Sequence, residues 1–177
     1  MPLLFYVIGA SGVGKDSILI SVRDRINGSQ NIVFAHRYIT RLPNYDLENH
    51  IYLSVEEFEQ RKTAGLFCFY WNSHGYSYGI GIEVNQWLNA GFNVVINGSR
   101  EYLPQAQLIF PLLKVILVES NKETIQQRLI NRGRESNTEI EKRLERSFDL
   151  SEYENILKIN NDGHLDLAVN KMLNIIQ

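Results

Sequence analysis

A glycine-rich segment between an apolar run and a helical pattern constrains this chain more than any other feature. Residues 3–8 (LLFYVI) are apolar throughout, as in a strand buried on both faces of a parallel sheet. Residues 9–15 (GASGVGK) follow, and apolar residues at helical spacing begin at Ile18. This order of strand, turn and helix is the context in which such a loop holds phosphate groups. The sequence therefore predicts a P-loop centred on Lys15.

The chemistry of this loop follows from its residue types. Glycines let the backbone turn so that successive N–H groups face one point, and the helix that follows presents its own unpaired N–H groups there. The ammonium of Lys15 can then reach the β- and γ-phosphates of a nucleotide. The loop residues expected to contact ATP are Gly9, Ala10, Ser11, Gly12, Val13, Gly14, Lys15, Asp16 and Ser17.

The residue after Lys15 departs from the usual motif, which has serine or threonine there to bind Mg²⁺. Asp16 occupies that position and Ser17 follows it. A carboxylate is a competent ligand for Mg²⁺. Two alternatives stay open, because Asp16 could instead complement the helix N-terminus while Ser17 supplies the hydroxyl. We predict Mg²⁺ as the cofactor, with Asp16 and Ser17 as its candidate ligands.

Further apolar runs alternate with helical patterns, which predicts an α/β domain of three layers around a parallel sheet. The predicted strands are 31–36, 94–97, 115–118 and 156–159, and the predicted helices are 123–131, 138–149 and 165–176. The middle of the chain differs, with a capped helix over 54–65 and an aromatic hairpin formed by 66–71 and 76–78. We interpret residues 1–36 and 91–177 as the core, 37–90 as a small α+β insert and 132–137 as a lid.

Length and composition limit the other possibilities. A chain of 177 residues fits one domain, and a net charge of −2 argues against nucleic-acid or membrane-surface partners. No apolar run approaches the ~20 residues that cross a bilayer. The single cysteine, Cys68, excludes an internal disulfide and a cysteine-rich zinc site, and it suits the reducing cytoplasm.

Almost the whole chain resembles the guanylate kinase branch of the nucleoside monophosphate kinases. The matching pieces, in order, are the P-loop, 40–43 (TRLP), His50, 57–58 (EF), Gly75, 78–79 (YG), Gly91, 94–96, 132–133 (RG), Arg143 and 161–162 (ND). The resemblance implies that Arg41 and Tyr78 bind the acceptor phosphate and that Asn161 lies on the adenine side of ATP. It also implies that Arg132 and Arg143 are catalytic lid residues.

The positions that read guanine in that branch have changed character here. Arg37 stands where the branch has a serine, and Phe69 and Ser99 stand where it has two carboxylates. A guanine edge needs hydrogen-bond acceptors, and a buried unpaired donor costs ~1–3 kcal/mol. Arg37 suits a second phosphate, because its planar fork binds oxyanions at two points. The site is therefore expected to keep the phosphate end of the acceptor and to lose the base end.

Two further acceptor candidates come from the topology of the predicted sheet. Ser99 and Arg100 follow a predicted core strand, where α/β sheets place ligands.

Seven segments of the chain closely resemble the ribose 1,5-bisphosphate phosphokinase family, namely 14–17, 36–41, 48–50, 97–100, 103–106, 131–135 and 160–163. That resemblance implies ATP-dependent conversion of ribose 1,5-bisphosphate to 5-phospho-α-D-ribose 1-diphosphate in phosphonate catabolism.

Two other functions stay open at this level. One is a guanylate kinase in which other groups replace the lost carboxylates. The other is a non-catalytic guanylate-kinase-like module that binds protein partners, although such a module has no need of Lys15 or an arginine-rich lid. The oligomeric state is not determined by the sequence, and a homodimer is one alternative.

Overall fold

The structure is a computed structural model, and it describes residues 1–26, 30–42, 49–133, 136, 138, 140–141, 144, 150, 153 and 155–177, with Arg132 described by its backbone alone. The strands are β1 (Leu4–Ile8), β2 (Ile32–Phe34), β3 (Arg37–Ile39), β4 (His50–Tyr52), β5 (Phe67–Ser73), β6 (Tyr76–Gly81), β7 (Asn93–Asn97), β8 (Lys114–Glu119) and β9 (Leu157–Asn160). The helices are α1 (Lys15–Arg25), α2 (Val55–Thr63), α3 (Glu83–Asn89), α4 (Leu103–Ile109), α5 (Lys122–Arg132) and α6 (Leu165–Ile176).

The larger sheet is parallel and has the strand order β2-β7-β1-β8-β9. β1 lies at its centre with all 5 residues buried, as the apolar run predicted. β7 and β8 flank it, so that Val7 pairs with Asn97 on one side and Ile116 on the other. Because the strands are parallel, their carboxyl ends meet at one edge, and the P-loop leaves the sheet there.

Helices cover both faces of this sheet, which confirms the three-layer α/β prediction. On one face Phe5 and Val7 pack against α1, α5 and α6, in a cluster that includes Leu129 and Met172. On the other face alternate residues such as Tyr6 pack against α3 and α4. The alternation follows from the two-residue period of a strand, which points successive side chains to opposite faces.

The smaller sheet has the order β4-β3-β6-β5 and lies within residues 37–81. β5 and β6 form the hairpin that the sequence predicted, and its turn has positive φ at His74 and Gly75. α2 begins after Ser54, whose side chain accepts a hydrogen bond from the Glu57 N–H, and it packs Phe58 on Phe67. β3, β4, α3 and α4 were not predicted. β3 (RYI) and β4 (HIY) form no continuous apolar run, and the 7 residues of α3 and of α4 span only about two helical turns.

The two sheets share one apolar cluster. Phe69 of β5 and Ile80 of β6 lie in the same cluster as Tyr6 and Leu103 of the core. The division of the chain into core, insert and lid stays a prediction. Within the predicted lid, α5 ends at Gly133 with φ 61°, and most of the predicted helix 138–149 lies outside the described residues. Among the described helices, none combines the length and the apolar character needed to span a membrane.

Candidate active site

The P-loop connects β1 to α1 through a backbone that only glycine fits well. Gly12 and Gly14 have φ values of 84° and 95°, in the left-handed region. A Cβ atom on Gly14 would lie 2.4 Å from the Nδ2 atom of Asn161, and one on Gly9 would lie 2.5 Å from the Val118 carbonyl oxygen. The loop is therefore packed closely against the ends of β8 and β9.

Lys15 is the first residue of α1, and its side chain folds back over the loop. Its Nζ atom donates to the carbonyl oxygens of Gly9 and Ala10, at 2.7 Å and 3.2 Å. The positive end of an 11-residue helix lies beside this ammonium group. An anion placed at the loop thus meets the N–H groups of the helix terminus and a lysine together.

Asn161 supports the P-loop through a hydrogen bond to its backbone. It is 3% exposed, and its Nδ2 atom donates to the Val13 carbonyl oxygen at 2.8 Å. Arg128 of α5 donates to the same oxygen at 3.1 Å and to the carbonyl oxygen of Asn161 at 2.8 Å. The sequence analysis missed Arg128, which belongs to no motif. The contact of Asn161 with ATP stays a prediction, and the structure gives this residue a supporting role in the loop.

The Asp16 carboxylate contacts side chains from two other parts of the chain. The Nδ2 atom of Asn97, at the end of β7, donates to its Oδ1 atom at 2.6 Å. The Nη2 atom of Arg37, at the start of β3, lies 3.3 Å from the same oxygen. Ser17 lies partly buried in the first turn of α1. The structure thus brings the P-loop, a core strand and the base of the smaller sheet together at one carboxylate.

Asn97 is a second residue that the sequence analysis missed. It is 8% exposed, and its Oδ1 atom is buried with no hydrogen-bond partner among the described residues. The sequence does contain a feature that could have identified Asn97, because this residue ends an apolar run at the carboxyl edge of a predicted core strand.

Tyr6 holds the loop that carries Ser99 and Arg100. Its hydroxyl donates to the Ser99 carbonyl oxygen at 3.1 Å and accepts from the Ser99 N–H at 3.0 Å. Burial raises the pKa of Tyr6 well above its usual range, so the phenol stays protonated and keeps donating. Ser99 and Arg100 are both partly buried, and they lie beyond the carboxyl end of β7 as predicted.

Two of the predicted acceptor residues, Arg41 and Tyr78, lie in or next to the paired strands β3 and β6 of the smaller sheet. Arg41 follows β3 and is partly buried. Thr40 and Ser77 exchange hydrogen bonds, which extends the pairing of β3 and β6 up to the residues before Arg41 and Tyr78. Tyr78 is 9% exposed and stacks on Trp71, with ring centroids 5.6 Å apart.

Phe69 of β5 is packed inside the apolar cluster that the two sheets share. It is 0% exposed, and its ring lies 5.8 Å from that of Tyr6, 5.4 Å from Phe110 and 5.9 Å from Tyr102, measured between centroids. These edge-to-face contacts are a favourable arrangement of aromatic rings. Phe69 is therefore part of the packed core.

Two predicted catalytic residues lie beyond what the structure describes. Arg132 ends α5, but its side chain is not described, and Arg143 lies outside the described residues. Within the described part of the chain, no group of three or more histidine, cysteine, aspartate or glutamate side chains is arranged to hold a metal ion. Mg²⁺ in kinases needs no such cage, because one or two carboxylates and the substrate phosphates hold it.

Curated relatives match this chain over nearly its full length. Ribose 1,5-bisphosphate phosphokinase PhnN of Thiobacillus denitrificans is 47% identical over 174 residues, which are 98% of this chain and 92% of that protein. The protein of the same name from Psychromonas ingrahamii is 47% identical and covers 98% of this chain and 89% of its own length. The Yersinia pestis protein is 42% identical and covers 99% and 92%. No protein-family model matches the chain.

Solved structures share the fold at low identity. Guanylate kinase from Anaplasma phagocytophilum has a TM-score of 0.74 at 14% identity and covers 99% of this chain and 84% of its own. A gluconokinase from Sinorhizobium meliloti has a TM-score of 0.51 at 16% identity and covers 98% and 90%. The fold is therefore that of guanylate kinase.

Proposed function

Because this chain belongs to the ribose 1,5-bisphosphate phosphokinase family, we propose that it transfers the γ-phosphoryl group of ATP to ribose 1,5-bisphosphate. The products are ADP and 5-phospho-α-D-ribose 1-diphosphate. A phosphate oxygen of the acceptor attacks the γ-phosphorus, the bond to the β-phosphate oxygen breaks, and ADP leaves. The attacking oxygen is already ionised, so the reaction needs alignment and charge neutralisation more than a general base.

The observation that carries the proposal is the filled space at Phe69. Guanine recognition needs acceptors that a buried phenylalanine cannot supply, and an unpaired donor would cost ~1–3 kcal/mol. Phe69 is held among Tyr6, Tyr102 and Phe110, so opening this space for a base would break up a packed aromatic cluster. A sugar with phosphate ends makes no such demand. This favours the bisphosphate over GMP as the acceptor.

The donor side is built from the P-loop. Lys15 and the N-terminus of α1 would bind the β- and γ-phosphates of ATP, and Asn161 with Arg128 keeps the loop in place through the Val13 carbonyl. An intact lysine in this position argues for a working kinase rather than a silent binding module. Arg132 and Arg143 are proposed to neutralise the transferred group from the lid.

The acceptor side is built from arginines and loop residues. Arg37, whose side chain is 13% exposed, lies 3.3 Å from Asp16, so a phosphate bound by Arg37 would lie next to the P-loop. Arg41 and Tyr78 would bind the other phosphate, and Ser99 and Arg100 would contact the sugar end from β7. Guanidinium groups suit this task, because they bind oxyanions at two points.

The residues present fit a magnesium ion. Asp16 offers a carboxylate beside the P-loop, and Ser17 is in the same helical turn. Asn97 contacts Asp16, and its buried Oδ1 atom has no partner in the part of the chain that the structure describes. Asp16 and Ser17 would hold the ion, which would supply positive charge to offset that of the ATP phosphates. The free thiol of Cys68 fits a cytoplasmic location, and the homodimer and the pathway stay predictions.

A substrate panel tests the proposal. ADP release is measured with ATP, Mg²⁺ and one of three acceptors, namely ribose 1,5-bisphosphate, GMP and ribose 5-phosphate. We expect turnover with the bisphosphate and none above background with the other two. Lys15→Ala is the control, and it should lower turnover at least ~100-fold while the protein stays folded. Faster turnover with GMP would establish a guanylate kinase instead.

A further inference from the structure

Asp16 and Asn97 lie together where α1 begins and β7 ends. P-loop enzymes hold Mg²⁺ with a serine or threonine after the lysine and an aspartate from a second element. In this chain the residue after the lysine is itself the aspartate, and the second element offers an amide. The two side chains touch, with Asn97 Nδ2 2.6 Å from Asp16 Oδ1.

We propose that these two positions have traded roles, so that Asp16 supplies the carboxylate for the metal and Asn97 is the positioning residue that orients it. The inference deepens the proposed ATP-dependent activity and rests on it. One carboxylate remains in the pair, so the charge offered to the metal is the same as in the usual arrangement. Only the element that carries it has changed, because Asp16 lies in the first turn of α1 and Asn97 at the end of β7.

The hydrogen bond explains why position 97 is an amide. Two carboxylates in such contact would repel each other. An amide can donate instead, and the Asn97 Nδ2 atom donates to Asp16 Oδ1. An aspartate at 97 is therefore incompatible with an aspartate at 16.

The buried Oδ1 atom of Asn97 is the second, independent observation. Asn97 is 8% exposed, and this oxygen has no partner within the described ranges of the chain, which is unfavourable in a folded protein. The network determines which end of the amide faces Asp16, because only the nitrogen can donate to a carboxylate. Because the unpaired oxygen is unfavourable for folding, we take the presence of Asn97 to reflect a function of its Nδ2 donor.

Arg37 completes the arrangement. Its Nη2 atom lies 3.3 Å from Asp16 Oδ1, the oxygen that also accepts from Asn97. Among the described residues both contacts use this one oxygen, which leaves Oδ2 as the oxygen available to a cation. Asn97 and Arg37 thus hold the carboxylate through one of its two oxygens.

Metal-dependent nucleotide binding tests the exchange. The dissociation constant of ADP is measured by titration calorimetry with Mg²⁺ and with EDTA, and the ratio of the two is the metal-dependent gain. The wild type, Asp16→Ser, Asn97→Asp and the double variant are compared. We expect each single variant to lose at least ~10-fold of the gain, and the double variant to recover most of it, since two contacting groups that act together are coupled.

Several controls make the result decisive. Asp24→Ser, in an exposed position of the same helix, should leave the gain unchanged. The isosteric Asp16→Asn replaces Asp16→Ser if the latter does not fold, and it should also lose the gain. An unaffected gain in either Asp16 variant, or a double variant whose loss is the product of the single losses, would overturn the proposal. The measurement uses no acceptor, so it stands or fails separately from the identity of the sugar.

Discussion

Gly14 shows how a single residue keeps the P-loop in shape. Its φ of 95° lies in the left-handed region, and it forms the N-terminal cap of α1. An added Cβ would meet the Nδ2 atom of Asn161 at 2.4 Å. That nitrogen cannot withdraw freely, because it is hydrogen-bonded to the Val13 carbonyl. Backbone strain and steric overlap therefore act at the same position.

Gly14→Ala is expected to weaken both stability and nucleotide binding. Left-handed backbone costs an alanine ~1–2 kcal/mol, and displacing Asn161 adds to that. Urea unfolding measures the stability, and the rise in melting temperature with ADP measures the binding. Gly75→Ala is the matched control, with φ 78° but nothing within 4 Å of the added atom. Equal effects of the two substitutions on ADP binding would contradict this account.

At the scale of elements, Asp162 ties the end of β9 to the start of α5. Its Oδ1 atom accepts from the Ser120 hydroxyl at 2.5 Å and the Asn121 N–H at 2.7 Å, and its Oδ2 atom accepts from the Asn160 side chain. The Ser120 hydroxyl, followed by the Asn121 N–H and the Asn160 amide, lowers the pKa of Asp162. These bonds hold the two turns that lie behind the P-loop.

The lowered pKa of Asp162 makes a pH-dependent prediction. The carboxylate contributes stability at and above the ordinary pKa of 3.8, and that contribution is lost as the pH falls through the lower folded value. Asp162→Asn should therefore be less stable than the wild type at pH 7, and the difference should shrink in acid. Unfolding in urea at a series of pH values measures it. A difference that stays constant down to acid pH would refute the ionic role of this group.

At the scale of the whole molecule, Phe69 connects the two sheets. It belongs to the smaller sheet, yet its ring contacts Tyr6 of the central core strand and Phe110 beyond α4. The same cluster contains Ile80 and Val84 from the segment that follows. The aromatic packing around Phe69 thus joins the smaller sheet to the core.

Phe69→Ala should destabilise the protein by about 3–5 kcal/mol, because it leaves a large cavity in a closely packed cluster. Tyr70→Ala is the control, since Tyr70 is next in the same strand, points to the other face and is 45% exposed. We expect it to cost less than ~1 kcal/mol. Chemical unfolding compares the two, and similar losses would show that the junction does not depend on this ring.

The sequence predicted much of this fold from local patterns. The run at 3–8 became β1, the capped segment after Ser54 became α2, and the pattern at 165–176 became α6. β3 and α4 were not predicted, because β3 (RYI) is not a continuous apolar run and the 7 residues of α4 span only about two helical turns. The strand order of both sheets also could not be predicted, since it depends on how distant segments pack.

The amino-acid sequence by itself determined the P-loop and the buried strands, because each depends on residue type and spacing within a short segment. Only the tertiary structure brought Asn97 to Asp16 across 81 positions, Arg128 to Val13 across 115 and Tyr6 to Ser99 across 93. Those contacts depend on which strands lie side by side in a parallel sheet. Strand adjacency arises from the packing of whole elements, and no local pattern encodes it.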